Sequence, residues 1–178
     1  VQKSTNMKKL LLLVVGAIVS STLFAQPAET YIGEKVKVTF PGKPDSTSNQ
    51  LGAKILTYNK DTSKIYSTLM LDVAPMGLSA DMVASMGDGL WDQIKSPMMA
   101  QMGNVDILKD EVVPFKGKSC LKIELDLSKA ASENMKGKKM YMLCFFIGSV
   151  LHQLNVTTLN ATDMKPDAES FFNTLIIE

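Results

Sequence analysis

"KKMYMLCFFIGSVLHQLNV", residues Lys138 to Val156, holds the chain's only histidine and one of its two cysteines inside an otherwise apolar run. The stretch reads either as a reactive site or as a core hairpin that carries reactive side chains. Gly148-Ser149 at its centre has the composition of a two-residue turn. With that turn, Ile147 pairs with Val150, Phe145 with His152, Leu143 with Leu154 and Tyr141 with Val156, because directly opposed residues point to the same face. That face is apolar except for His152. Burial there disfavours a charged imidazole, so His152 is expected to be neutral. A general base needs a nucleophile or an orienting partner, and a metal needs further ligands. Neither stands nearby in the sequence, and the segment is read as a core hairpin with a structural His152.

The other face of the hairpin carries Met140, Met142, Cys144 and Phe146. Upstream, Ser119 to Leu127 alternates Leu121, Ile123, Leu125 and Leu127 with Lys122, Glu124 and Asp126, the period of a half-buried strand. Matching its leucine face to Tyr141, Leu143 and Phe145 places Cys120 on the same face as Cys144. Two states then fit the pair. One is a disulfide, contributing about 3 kcal/mol in the chain-entropy model if the compartment is oxidising. The other is two buried reduced thiols. A redox-active pair fits poorly, because the cysteines are far apart in sequence and lie in strands, not at a helix N-terminus.

Further upstream, Val36, Val38 and Phe40 alternate with lysine and threonine as a strand that Pro41-Gly42-Lys43-Pro44 ends, after an exposed lead-in over 26–33. Asp45 to Gln50 reads as a loop. Lys54 to Tyr58 and Lys64 to Ala74 read as strands, with Ile65, Ser67, Leu69, Leu71 and Val73 sharing the buried face of the second. The period then changes: Met82, Val83, Met86, Leu90, Trp91 and Ile94 mark one amphipathic helix capped by Ser79, weakened by Gly87 and Gly89 and ended or kinked at Ser96-Pro97. Val105 to Phe115 is a strand turning at Lys116-Gly117-Lys118, Ser128 to Gly137 can hold a helical turn or two, and Asp167 to Leu175 reads as a short C-terminal helix or helix-to-strand tail.

At the other end, Met7-Lys8-Lys9, the apolar Leu10 to Val19 and the small-residue exit to Ala25 have the pattern of a secretory signal peptide cleaved after Ala25, with Val1 to Asn6 an upstream extension. Residues 1–25 are thus set apart from a single globular domain over 26–178. The apolar run is shorter than the roughly 20 residues that span a bilayer, and no later segment is a candidate, so no transmembrane span is expected in the mature chain. Removing 25 of 178 residues leaves 153, enough to bury roughly 70% of the unfolded chain's surface. Lys3, Lys8 and Lys9 leave with the signal, so 16 of the 19 basic residues face 18 acids. All are lysines, and the arginine fork that reads guanine edges or clamps phosphates is absent. Nucleic acid is not an expected partner.

Other candidate chemistry is thin. Met98 and Met102, with Met82 and Met86 upstream, offer thioethers that suit copper(I), although methionine also fills irregular cores. Asp88 with Asp92, and Asp110-Glu111, fit a solvated face more simply than an acid/base pair. Gly87 and Gly89 lack the strand-turn-helix setting of a phosphate loop, and no G-x-S-x-G element occurs. Asn155-Val-Thr and Asn160-Ala-Thr match a glycosylation sequon, the first within an expected strand.

The order of elements, with "VTFPGKP" at Val38 to Pro44 and "FFNTLII" at Phe171 to Ile177, resembles the superfamily of PsbP, the extrinsic photosystem protein, and Mog, the nuclear Ran-release factor, which includes exported bacterial proteins. The resemblance spans most of 26–178. It implies an α+β fold with an antiparallel sheet flanked by helices, an α/β/α sandwich, and a family populated mostly by non-catalytic binders and assembly factors. The expectation is therefore an exported, periplasmic or secreted, non-enzymatic accessory protein of the bacterial envelope. It would use no cofactor, catalytic residue or metal, and would bind an unidentified protein or envelope component. The alternative is a periplasmic copper(I) or small-ligand carrier using the helix methionines.

Overall fold

A computed structural model describes residues 26–48, 52–59, 63–103, 105–130, 138–158 and 164–178. Residues 1–25, read above as a signal peptide with its upstream extension, most of 128–137 and Asn160 lie outside them.

In chain order the elements are β1 (Ala28–Gly33), β2 (Val36–Phe40), β3 (Asp45–Ser48), β4 (Lys54–Asn59), β5 (Lys64–Asp72), α1 (Ala80–Met86), α2 (Gly89–Met102), β6 (Asp106–Phe115), β7 (Lys118–Asp126), β8 (Lys139–Ile147), β9 (Val150–Thr158), α3 (Lys165–Asn173) and β10 (Ile176–Ile177). Seven strands form one antiparallel sheet in the order β3-β4-β5-β9-β8-β7-β6, and β1, β2 and β10 form a second, with β2 central. The fold is α+β, with the large sheet between helices as expected and the small sheet as an additional cover.

The β8–β9 hairpin has the register expected from its turn: Ile147 opposes Val150, Phe145 opposes His152, Leu143 opposes Leu154 and Tyr141 opposes Val156. Gly148 adopts φ 59°, the left-handed conformation that such a turn needs and glycine accepts without steric cost. Both faces of this hairpin are buried because the large sheet is covered on both sides. On one side, Tyr141, Leu143, Phe145, Leu154 and Val156 pack under Val36, Val38 and Phe40 of β2 and Phe171 and Phe172 of α3. On the other, Met142 and Cys144 join Leu121, Ile123, Leu125 and Leu127 beneath Trp91 of α2.

That second grouping corrects one expectation. Cys144 opposes Leu121, so the leucine face of β7 continues into Met142 and Cys144, not into Tyr141, Leu143 and Phe145. A sheet covered on both sides makes both faces of β8 apolar, and patterning alone then cannot distinguish two registers one residue apart.

Other departures have local causes. The lead-in is β1, whose alternate residues face outward because it flanks a small sheet. Asp45–Ser48 is not a loop but the exposed edge strand β3, polar on both faces because neither is covered. In β5 the most buried residues are Tyr66 and Thr68, on the parity opposite to the one expected. The expected single helix is two: Gly87 breaks it with φ 54°, ψ −135°, and α2 then runs through Pro97 to Met102. Pro97 and Gln93, the residue whose carbonyl loses its helical partner, both face solvent, so water can satisfy that carbonyl. Ser79 caps α1 as expected, its hydroxyl accepting from the Met82 N–H at 3.3 Å.

The C-terminal segment joins the small sheet along β2. Ile176 and Ile177 oppose Lys37 and Val36, the Glu178 N–H donates to the Lys35 carbonyl at 2.9 Å, and the Thr39 N–H donates to the Thr174 hydroxyl at 3.0 Å. Lys64–Asp167 and Lys122–Glu169 ion pairs, at 3.1 and 3.0 Å, tie α3 to the large sheet. The "PGKP" turn has its own constraint: a Cβ on Gly42 would lie 2.5 Å from the Tyr58 ring. Glycine there lets the ring lie against the turn.

Candidate functional site

His152 sits on β9 between Met70 on β5 and Phe145 on β8. It is 2% exposed and lies flat on the Phe145 ring, with centroids 5.1 Å apart and planes 9° apart. Burial lowers its pKa from 6.5 to about 4, so the imidazole is neutral across the ordinary pH range. Its Nδ1 is buried and has no hydrogen-bond partner among the described residues. A buried polar atom in that state costs about 1–3 kcal/mol relative to a satisfied one.

The turn between β1 and β2 closes over this imidazole. Gly33 approaches so near that a Cβ on it would stand 2.8 Å from His152 Cε1 and 3.5 Å from Nε2. Between that turn and the adjacent ends of β5, β8 and β9 lies a cavity of about 440 Å³, with His152 in its wall. Val36, Met70, Ile147 and Val150 supply apolar surface, while Glu34 and Lys35 bring one charge of each sign. Sequence reading placed His152 correctly on the apolar face but missed the cavity. The signal available was "GEK" at Gly33 to Lys35, which marks a turn without saying what lies beneath it.

The cysteines are not brought together on one face. Cys120 packs with Tyr141, Leu143 and Phe145, Cys144 packs with Leu121 and Met142 on the opposite side, and both thiols are free. This corrects the shared face expected for Cys120 and Cys144, and its cause is the one-residue difference in β7–β8 register. Burial pushes the Cys120 thiol up to about 11 and raises that of Cys144 as well, so neither supplies thiolate at neutral pH.

Met98, Met99 and Met102 of α2 pack on the core cluster that also takes in Met140 and Met142, and the Met98 sulfur accepts a 2.9 Å hydrogen bond from Gln153 Nε2. Met82 is exposed on α1, which buries none of its residues. Among the described residues no three His, Cys, Asp or Glu side chains form a metal-ligating group.

Two of the acidic side chains noted in the sequence serve contacts between elements. Asp88 accepts from the Ser119 hydroxyl, which also receives the Trp91 indole N–H at 3.5 Å, and Asp110 pairs with Lys95. Glu111 pairs instead with Lys109 of its own strand. Asn155 is buried on β9, its Nδ2 reaching Ser67 at 3.5 Å, so the first sequon offers no accessible amide to a glycosylating enzyme. Among the described residues no helix is long and apolar enough to cross a membrane.

No family model and no curated protein matches the sequence. Among solved structures, the chain is similar to the solution structure of cyanobacterial PsbP (CyanoP) from Synechocystis sp. PCC 6803, with a TM-score of 0.51 and 9% identity over 89% of this chain and 96% of that one. It is also similar to a crystal structure of a protein of unknown function from Pseudomonas aeruginosa, with a TM-score of 0.44 and 11% identity over 83% and 91% of the two chains. At such identity the likeness is one of backbone architecture, and the chain has a PsbP-like α+β fold.

Proposed function

We propose that this chain is an exported accessory protein of the bacterial cell envelope that acts by binding a protein partner or an envelope component, and not by catalysis. The observation that carries this reading is the state of its potentially reactive side chains. The imidazole is held neutral against Phe145, and both thiols are buried with raised pKa values on opposite faces of the sheet. A nucleophile needs an adjacent base or a depressed pKa, and these groups have the reverse. The PsbP-like fold supports the reading at the level of architecture.

Cross-linking in the native envelope, followed by identification of what co-purifies, tests the binding role. A defined stoichiometric partner supports it. Turnover of esters, peptides or glycosides by the purified protein, abolished by one point substitution, overturns it. Export is tested by N-terminal sequencing of the envelope fraction, with Gln26 expected as the first residue.

A further inference from the structure

We propose that the cavity beneath the β1–β2 turn is a binding site for a small uncharged molecule with an apolar body and one hydrogen-bonding group, of the phenol or cyclic-alcohol class. The volume, about 440 Å³, lies within the roughly 300–1,000 Å³ of typical small-molecule sites. Its walls divide into two chemistries. Val36, Met70, Ile147 and Val150 give a surface from which a hydrocarbon ring or chain displaces water favourably, at roughly 25 cal/mol per Å² buried. His152 gives a polar point among those apolar side chains, apart from Glu34 and Lys35 on the turn, and the side of its ring bearing Cε1 is turned toward Gly33, which also lines the cavity. Nε2, bonded to that Cε1 and 3.5 Å from where a Gly33 Cβ would stand, is the ring nitrogen nearer this turn, while Nδ1 is sealed inside the protein. Neutral imidazole both donates and accepts, so a single ligand hydroxyl can meet it in either sense.

The same walls disfavour an ion. The groups facing His152 from the neighbouring strands are Phe145 and Met70, and neither offers a countercharge. Glu34 and Lys35 on the turn carry opposite charges, which select neither sign. A charged head placed against the imidazole, away from those two turn side chains, would lose hydration that a neutral imidazole repays poorly.

Only glycine at position 33 keeps this arrangement, since any Cβ there would displace the imidazole from the turn. This inference goes beyond the accessory role and does not depend on it: partner capture is read from cross-links, ligand capture from the experiment below.

The test is titration of the ¹⁵N-labelled protein with phenol, cyclohexanol and benzoate, following backbone amides and the His152 Hε1 resonance. Phenol and cyclohexanol are expected to give saturable shifts confined to Gly33, Val36, Met70 and the 147–152 turn, with benzoate at least about tenfold weaker. Val150→Phe, which fills the cavity, is expected to weaken phenol by about tenfold or more while thermal unfolding stays cooperative. Ile147→Phe serves the same purpose if the first variant does not fold. Absence of saturable shifts with both neutral probes, equal affinity for benzoate, or unchanged phenol binding in a folded filled-cavity variant would each overturn the proposal.

Discussion

The imidazole of His152 and the ring of Phe145, cross-strand neighbours on β9 and β8, lie stacked at 5.1 Å with the ring planes inclined by only 9°. The contact gives the histidine an environment in which protonation is opposed by lost hydration and helped by no countercharge. Its pKa falls from 6.5 in the unfolded reference to about 4 in the folded protein. Between those values the unfolded chain takes up a proton that the folded chain refuses. Stability attributable to His152 is therefore fully present above pH 6.5 and declines as pH falls through this window, levelling off below about 4. The total amplitude is about 3 kcal/mol. Denaturant unfolding across this range should show a shallower pH slope for His152→Gln than for the parent. Identical slopes would contradict the assignment.

The two thiols give a second expectation. With Cys120 and Cys144 buried, free and on opposite faces, the native protein should react slowly with an aromatic disulfide reagent at neutral pH. In concentrated guanidinium without reductant, both cysteines should titrate. A count of zero in the unfolded chain would mean that they had paired.

Gly42 supplies a packing test. Gly42→Ala introduces a Cβ into the Tyr58 ring and is expected to cost about 1–3 kcal/mol, the usual range for overpacking. The cost should shrink in a Tyr58→Ala background, because the clash has then gone. A double-mutant cycle measured by denaturant unfolding reads the coupling directly, and additive costs would place the strain elsewhere.

On α3, residues two positions apart should differ widely. Phe171 is buried against Phe40 and Tyr66, with centroid separations of 5.3 Å to each, and Phe171→Ala should cost about 3–5 kcal/mol. Glu169 makes a partly exposed ion pair with Lys122, and Glu169→Gln should cost less than about 1 kcal/mol. Comparable losses at the two positions would show that the ion pair, not the aromatic cluster, seats this helix.

What could be read from the sequence depended on how many alternatives each segment left open. The Gly148-Ser149 turn admits one register, so every pair of the β8–β9 hairpin followed from it. The β7–β8 register had no such pin. Residues 128–137 separate the strands, and Met142 and Cys144 are as apolar as Tyr141 and Leu143, so a slip of one residue left hydrophobicity unchanged. Asp45–Ser48 lacks alternation because neither face is covered, and it could not be told from a loop. The break at Gly87 was visible as weakness in a helix but not as a boundary. The cavity was hidden most deeply: the need for glycine at position 33 comes from an imidazole that arrives late in the chain, and only the tertiary fold makes them neighbours.

The attachment of β10 to β2 has a kinetic meaning. An early strand is completed by residues far later in the sequence, so the small sheet cannot close until Ile176 and Ile177 have been synthesised. A nascent polypeptide arrested after α3 would leave the outer edge of β2 bare, with Lys35 and Lys37 missing their Glu178 contacts and Thr39 missing Thr174. Pairing across so long a separation carries a loop-closure cost that a local hairpin such as β8–β9 does not. The β2–β10 pairing is therefore a late event in the assembly of the small sheet.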